Sequence, residues 1–186
     1  MKIEIIPFSE KHKKDVLKIS EKEIGKNFID ENYLNSFLNN TNAKGVVAII
    51  NGKVAGFTFF QWLKGTELHQ YIFTNKDWLK EVSKRKKLIG YRNLTAVKNS
   101  FQNYGIGKKL VEVSIAELKQ KTNFLANVVW ITDRKKNLGK TLEKFGLKPL
   151  KTIADYWKSD SIKRNYECAI CGSPPCTCKA LIYFSC

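Results

Sequence analysis

Two stretches of this sequence have the residue types and the spacing to do chemistry. The first is Gln102-Asn103-Tyr104-Gly105-Ile106-Gly107-Lys108, which follows an apolar run ending in Thr95-Ala96-Val97 and opens a helical pattern. Glycine at Gly105 and Gly107 lets the backbone approach an anion with no Cβ in the way. The first amides of a helix have no intrahelical acceptor, and the helix dipole adds partial positive charge there. Strand, glycine loop and helix N-terminus together make a phosphate site. There is no Lys-Ser or Lys-Thr pair as a nucleoside-triphosphate loop requires, and no third glycine as a dinucleotide fingerprint requires. The second stretch is Cys168-x-x-Cys171-Gly172-Ser173-Pro174-Pro175-Cys176-x-Cys178. Four thiolates in one compact loop suit tetrahedral zinc, and four protein ligands make such a site closed and structural. Disulfides, an iron–sulfur cluster and free thiols are the alternatives. Clustered cysteines in a cytosolic chain point to metal before disulfides. Cys186 is left over at the C-terminus and is read as incidental.

The elements that must position these residues follow from pattern. Lys2 to Phe8 alternates as a first strand, and Ser9 is placed to cap a helix running to about Ile24. His12, among lysines, is read as a solvated residue. Asp30 is placed to cap a second helix carrying Tyr33, Leu34, Phe37 and Leu38. Gly45 to Ile50 and Val54 to Leu63 are two strands joined by Asn51-Gly52, a strong hairpin signal. The segment 64–87 is read as an insertion: Leu68 to Phe73 as a possible strand, then a helix from Asn75 or Asp77, then the basic run Lys84-Arg85-Lys86-Lys87. Leu88 to Val97 is the strand that feeds the glycine loop. Ile106, Leu110, Val111, Ser114, Ile115 and Leu118 line one face of the next helix. Asn127 to Thr132 is a strand, Asn137 to Phe145 a helix ended by Gly146, Pro149 to Trp157 a strand, and Ala180 to Phe184 the last strand.

Gln102-x-x-Gly105-x-Gly107 after a strand ending in Ala96-Val97 resembles the pyrophosphate loop of the GNAT superfamily of acetyl-CoA-dependent N-acetyltransferases. Leu142-Glu143-Lys144-Phe145-Gly146-Leu147 resembles the ending of that family's last helix, and the element order from Lys2 to Trp157 is similar throughout. The resemblance implies an α+β, three-layer fold: a mixed, mostly antiparallel sheet flanked by helices. It implies one domain over 1–186, with the cysteine knuckle, 165–179, inserted before the last strand. It implies that acetyl-CoA is the cosubstrate, that Ala96 and Val97 hold its pantetheine arm, and that the amides from Gln102 through Asn103, Tyr104, Gly105, Ile106 and Gly107 to Lys108 cradle its pyrophosphate. Asn137 stands near the family's asparagine that contacts the arm. The family's usual general acid, a tyrosine, is replaced here by Leu142. Tyr156 and Tyr166 are the substitutes near the acceptor side. Asp133, Glu67 and His69 are candidate bases by position alone, and a water chain serves as well.

The bulk composition sets the limits. The chain has 186 residues, 43% hydrophobic and 27% charged, with a formal net charge of +16. That is an ordinary globular composition. No apolar run approaches a membrane span, and the first residues do not form a secretory signal, so the expected location is the cytoplasm. The positive charge favours polyanionic partners: a phosphate-rich cofactor, an acidic protein or RNA. The expected function is N-acetylation of an amine, on a small molecule or a protein, with a structural Zn²⁺. The alternatives are a basic zinc-containing protein associated with nucleic acid or the ribosome, and a GNAT homologue that binds the cofactor without catalysis.

Overall fold

The computed structural model describes residues 2–73, 77–131 and 137–185. The regular elements are β1 (Glu4–Pro7), α1 (Lys13–Glu23), α2 (Glu31–Leu38), β2 (Ala43–Ile50), β3 (Lys53–Lys64), α3 (Asp77–Arg85), β4 (Leu88–Val97), α4 (Ile106–Lys119), β5 (Leu125–Ile131), α5 (Asn137–Lys144), β6 (Leu147–Ile153), α6 (Lys158–Arg164) and β7 (Lys179–Ser185). The local signals act as their chemistry requires. Asp30 accepts the Tyr33 amide at 2.7 Å and caps α2. Asn51 and Gly52 both have positive φ, 48° and 74°, which a tight hairpin turn with the right twist demands.

One seven-stranded sheet runs in the order β1-β2-β3-β4-β5-β7-β6. Neighbours are antiparallel except β4 and β5, which are parallel. A parallel pair needs a crossover, and α4 supplies it. Helices cover both faces. Val16, Ile19, Leu34 and Phe37 of α1 and α2 pack on Val47, Phe57 and Phe59. Val111, Ile115 and Leu118 of α4 and Leu142 of α5 pack on Phe60, Trp62, Leu125 and Tyr183. The edge strand β6 is largely exposed and carries Lys148, Pro149 and Lys151, residues that discourage pairing with another chain.

Three expectations need correction. Pro149 to Trp157 is not one strand: β6 stops at Ile153 and α6 follows. The only large apolar residue of α6, Ile162, is 57% exposed, so no buried stripe marks that helix in the sequence. Leu68 to Phe73 is not a strand, because Gly65–Gln70 forms a 3₁₀ turn whose Leu68 packs with Ile72 and Leu79. His12 is buried rather than solvated, with Nδ1 3.1 Å from both the amide and the hydroxyl of Ser9. Burial first, then the Lys11 charge, lowers its pKa.

The cysteine loop between α6 and β7 is tied to the end of α1. Ala169 donates its amide to Ile24 O at 2.8 Å, and Glu167 donates to Lys26 O at 3.0 Å. Gly25 lies between these bonds, and a Cβ there would stand 1.8 Å from Glu167 O. Gly25→Ala must therefore pry the two segments apart. It should cost about 2–4 kcal/mol in urea-induced unfolding; an unchanged midpoint would show that the segments do not meet.

Candidate functional site

β4 and β5 pair over three rungs only: Gly90 with Leu125, Tyr91 with Ala126, and Arg92 with Asn127. Both strands then run on, to Val97 and Ile131, without pairing each other. The result is a V-shaped gap in the middle of the sheet. Its apex coincides with a β-bulge, since Phe59 pairs with Leu94 and Phe60 with Arg92, leaving Asn93 as the extra residue. Bulges redirect side chains. Asn93 lines the cavity described below, and its side-chain oxygen is buried without a hydrogen-bond partner.

The glycine loop stands at the mouth of the gap. Asn103 and Gly105 adopt positive φ, 67° and 77°, and Gly105 occupies the N-cap of α4 with no side chain bonded across the helix end. The first helical bond runs from Lys109 N to Gly105 O at 3.1 Å. The amides of Ile106, Gly107 and Lys108 thus have no helical acceptor. Gln102 plays a different part from its neighbours. Its amide is donated to Asn99 O, and its side chain donates to Glu23 at 2.8 Å and to Val97 O at 2.9 Å. It ties the loop to α1 and to the end of β4. Ala96 is buried in the core under α1 and α2, while Val97 is half-buried beside Ile106 and Leu110. Asn137 is the first residue of α5.

Behind the apex lies a cavity of about 310 Å³. Its walls are strongly aromatic, with Tyr33, Tyr71, Tyr91, Trp130, Trp157 and Tyr166 among them. Both expected tyrosines are there. The Tyr156 hydroxyl accepts the Phe73 amide at 3.0 Å, and the buried Tyr166 hydroxyl faces the Asp160 carboxylate. Burial raises both phenol pKa values, helped at Tyr166 by the Asp160 charge. Both groups therefore stay protonated at neutral pH.

Arg92, Asn93 and Asp160 also line the cavity, and none of the three was singled out from sequence. Asp160 is the one carboxylate among the described lining residues, and it pairs with Arg164 at 3.2 Å. Arg92 had a signal that could have found it: a lone charge inside the otherwise uncharged strand Leu88 to Val97. Of the candidate bases, Glu67 accepts the Lys64 amide and His69 is exposed, and neither lines the cavity. Asp133 lies outside the described residues. Leu142, where the resemblance expects a tyrosine, is fully buried in the apolar core.

Cys168 and Cys176 form part of the same cavity wall. The four sulfurs of Cys168, Cys171, Cys176 and Cys178 all lie within 4.8 Å of one another. Individual separations are 3.8 Å (168 to 178), 3.9 Å (171 to 176) and 3.4 Å (171 to 178). A tetrahedral ion with metal–sulfur bonds of ~2.3 Å sets its sulfurs ~3.8 Å apart. No pair stands at the ~2.05 Å of a disulfide, and all four thiols are free. Burial raises the Cys171 thiol, but hydrogen bonds with Thr177, Cys178 and Cys176 outweigh it and bring it down to about 7. Burial pushes Cys178 up to about 12, against a hydrogen bond with the Trp130 side chain, and also raises Cys176. The donor set and its spacing fit a four-coordinate metal ion, whose charge would favour thiolates throughout.

No family model matches this chain, and no curated protein matches it in sequence. Solved structures do match. The ribosomal-protein-S18-alanine N-acetyltransferase from Escherichia coli aligns with a TM-score of 0.65 and 16% identity, over 99% of this chain and 93% of that one. NAA60 from Arabidopsis thaliana, in complex with acetyl-CoA, aligns with a TM-score of 0.70 and 9% identity, over 98% and 97%. An acetyltransferase of the GNAT family from Streptococcus pneumoniae gives 0.62 and 14%, over 99% of this chain and 98% of that one. With a mixed seven-stranded sheet opened between β4 and β5, this chain has the GNAT fold.

Proposed function

We propose that this chain is an acetyl-CoA-dependent N-acetyltransferase with a structural zinc ion beside its acceptor pocket. The observation that carries the reading is the gap between β4 and β5, with an uncapped helix N-terminus at its mouth and a cavity behind its apex. The amides of Asn103 to Lys108 would hold the pyrophosphate, with Gln102 bracing the loop. The unpaired stretch of β4 ending in Ala96-Val97 would hold the pantetheine arm, with Asn137 at the start of α5 nearby. The fold neighbour that binds acetyl-CoA supports this assignment.

The reaction is attack of a neutral amine nitrogen on the thioester carbonyl carbon. The carbon–sulfur bond breaks, and the sulfur keeps the electron pair. The amine enters from the aromatic cavity, where Asp160 is the carboxylate that draws in its ammonium form. An ordered water takes the proton. Tyr156 and Tyr166, kept protonated by burial, are the phenols that protonate the sulfur after it has left. The chain is read as one domain over 1–186, elaborated at 64–87 and at 165–179. Among the described residues no helix is long and apolar enough to cross a membrane, and we place the protein in the cytoplasm.

Calorimetry tests the cofactor half. Acetyl-CoA should bind with a dissociation constant on the order of 1–100 μM. Gly107→Glu isolates the loop, because a Cβ at Gly107 meets only Val97 Cγ2, at 3.7 Å. That variant should fold normally and lose acetyl-CoA affinity by about 100-fold, since it sets a carboxylate among the phosphate donors. Undiminished affinity would remove the loop from the site.

Elemental analysis tests the metal. One zinc per chain is expected, and Cys176→Ser should release it and lower the melting temperature by roughly 10 °C. A metal-free wild-type protein that is equally stable and has four reactive thiols in the loop would end the zinc assignment.

A further inference from the structure

Arg92 sits at the apex of the β4/β5 gap and lines the cavity, yet it is only 2% exposed. Among the described residues its guanidinium bonds to neutral oxygens alone: Nε to Ser114 Oγ at 2.7 Å, Nη1 to Asn127 Oδ1 at 2.8 Å and Nη2 to Thr95 Oγ1 at 2.7 Å. None of the ion pairs among the described residues involves it. The carboxylate on the cavity wall, Asp160, is on α6 and pairs with Arg164. Desolvation pushes the Arg92 pKa down to about 10, which still leaves it charged at neutral pH. Buried charges come paired or hold a ligand, because an isolated ion is costly to desolvate. Of the five guanidinium N–H groups three are spent, which leaves two without an acceptor among the described residues.

The fork is held rigidly. Ser114 Oγ is anchored on Val111 O, Asn127 Nδ2 on Arg92 O and Val128 O, and Thr95 Oγ1 lies 2.7 Å from Thr58 Oγ1. Such pre-set donors need no reorganisation when charge develops beside them. Along α4, Ser114 stands eight residues from Ile106, or ~12 Å from the helix N-terminus. Arg92 thus marks the closed end of a slot whose open end is the glycine loop.

Resting on the acetyltransferase reading, we propose that Arg92 carries the positive charge against which the coenzyme A thiolate leaves, so that carbon–sulfur cleavage needs no simultaneous proton donor. The nitrogen–carbon bond forms, the carbon–sulfur bond breaks and the electron pair stays on sulfur facing the guanidinium. The proton shed by the amine passes to water, and the thiolate is protonated afterwards. This accounts for Leu142 standing in the apolar core where a phenol would otherwise be expected.

The test reads the bound thiol itself. Free coenzyme A is complexed with the holoprotein and its thiolate absorbance is followed against pH, with the desulfo-coenzyme A complex subtracted to remove the protein's own thiols. The bound thiol should titrate at least one pH unit below free coenzyme A, a tenfold shift in its acidity. Arg92→Met should abolish the shift and lower kcat about 100-fold, and Arg92→Lys should retain most of the shift. Tight binding with a thiol that titrates as in solution overturns the proposal and leaves the acetyltransferase reading standing. A shift that survives in Arg92→Met overturns it too. If Arg92→Met does not fold, Arg92→Gln, which keeps an amide donor in the network without the charge, should abolish the shift in its place, and a shift that survives there overturns the proposal. Succinyl-CoA bound more tightly than acetyl-CoA, by an Arg92-dependent margin, would assign the charge to an acyl carboxylate instead. Failure of coenzyme A to bind at all would overturn both readings.

Discussion

The separation of β4 from β5 after the Arg92–Asn127 rung is the constraint on which the rest of the structure depends. Two parallel neighbours require a crossover, and a helix crossing over from the C-terminal end of β4 must start at that end. The N-terminus of α4 therefore falls at the mouth of the opening by topology alone. Only the glycine loop, which leaves that helix end without a side-chain cap, is a further sequence feature. Holding the opening is a matter of side chains. Arg92 bonds to β4, β5 and α4 at once, through Thr95, Asn127 and Ser114. The strands can part beyond this point because the latch keeps them from parting before it.

The cavity is built by different means. Its outer wall is the connection from β6 to β7, which has little apolar core of its own: three buried cysteines with Trp130, Trp157 and Cys171 packed around them. Small modules of this kind depend on cross-links or metals for order. The wall is bonded within itself, Cys176 donating its amide to Ser161 on α6 and Tyr156 donating to Cys178 O, and it is tied to the remainder of the protein where its loop bonds to the end of α1. A metal at the four sulfurs would thus act on the shape of the cavity, and through residues 23–26 it is linked to the glycine loop as well, because Glu23 accepts from Asn99 and Gln102 while Ile24 and Lys26 accept from the cysteine loop.

What the sequence disclosed, and what it concealed, divides along the same line. The glycine loop, the Asn51-Gly52 turn, the Asp30 cap and the four-cysteine cluster are local: each is defined by a few consecutive residues whose backbone demands are visible in their types. Tyr156 and Tyr166 do line the cavity, although the strand from Pro149 to Trp157 that was to carry Tyr156 ends at Ile153. Features made by distant residues were hidden. α6 lacks a buried stripe, so nothing marked it as a helix. His12 looked solvated because its neighbours are lysines, while its burial comes from packing beside Phe8. Arg92 sat in a strand read only for carboxylates. The oxygens that hold it come from positions 95, 114 and 127, and no spacing rule connects them.

That a strand interior keeps an arginine at all is informative. A buried charge held by neutral groups contributes less to stability than a well-packed apolar side chain of similar size. The surroundings of Arg92 offered that alternative: Gly90 on the same strand packs against Leu118 and Leu125. Instead the site assembles Ser114, Asn127, Thr95 and Thr58, all partly or wholly buried, around one cation. Ser114 Oγ, Asn127 Oδ1 and Thr95 Oγ1 would each lose a donor if the cation were removed alone. The network is therefore self-consistent but not the most stable filling of that space. Local departures from the apolar pattern of a strand are found where a protein gives up stability for a site. Here the departure falls at the one place where the sheet opens, which links the cost of the charge to the chemistry of the gap.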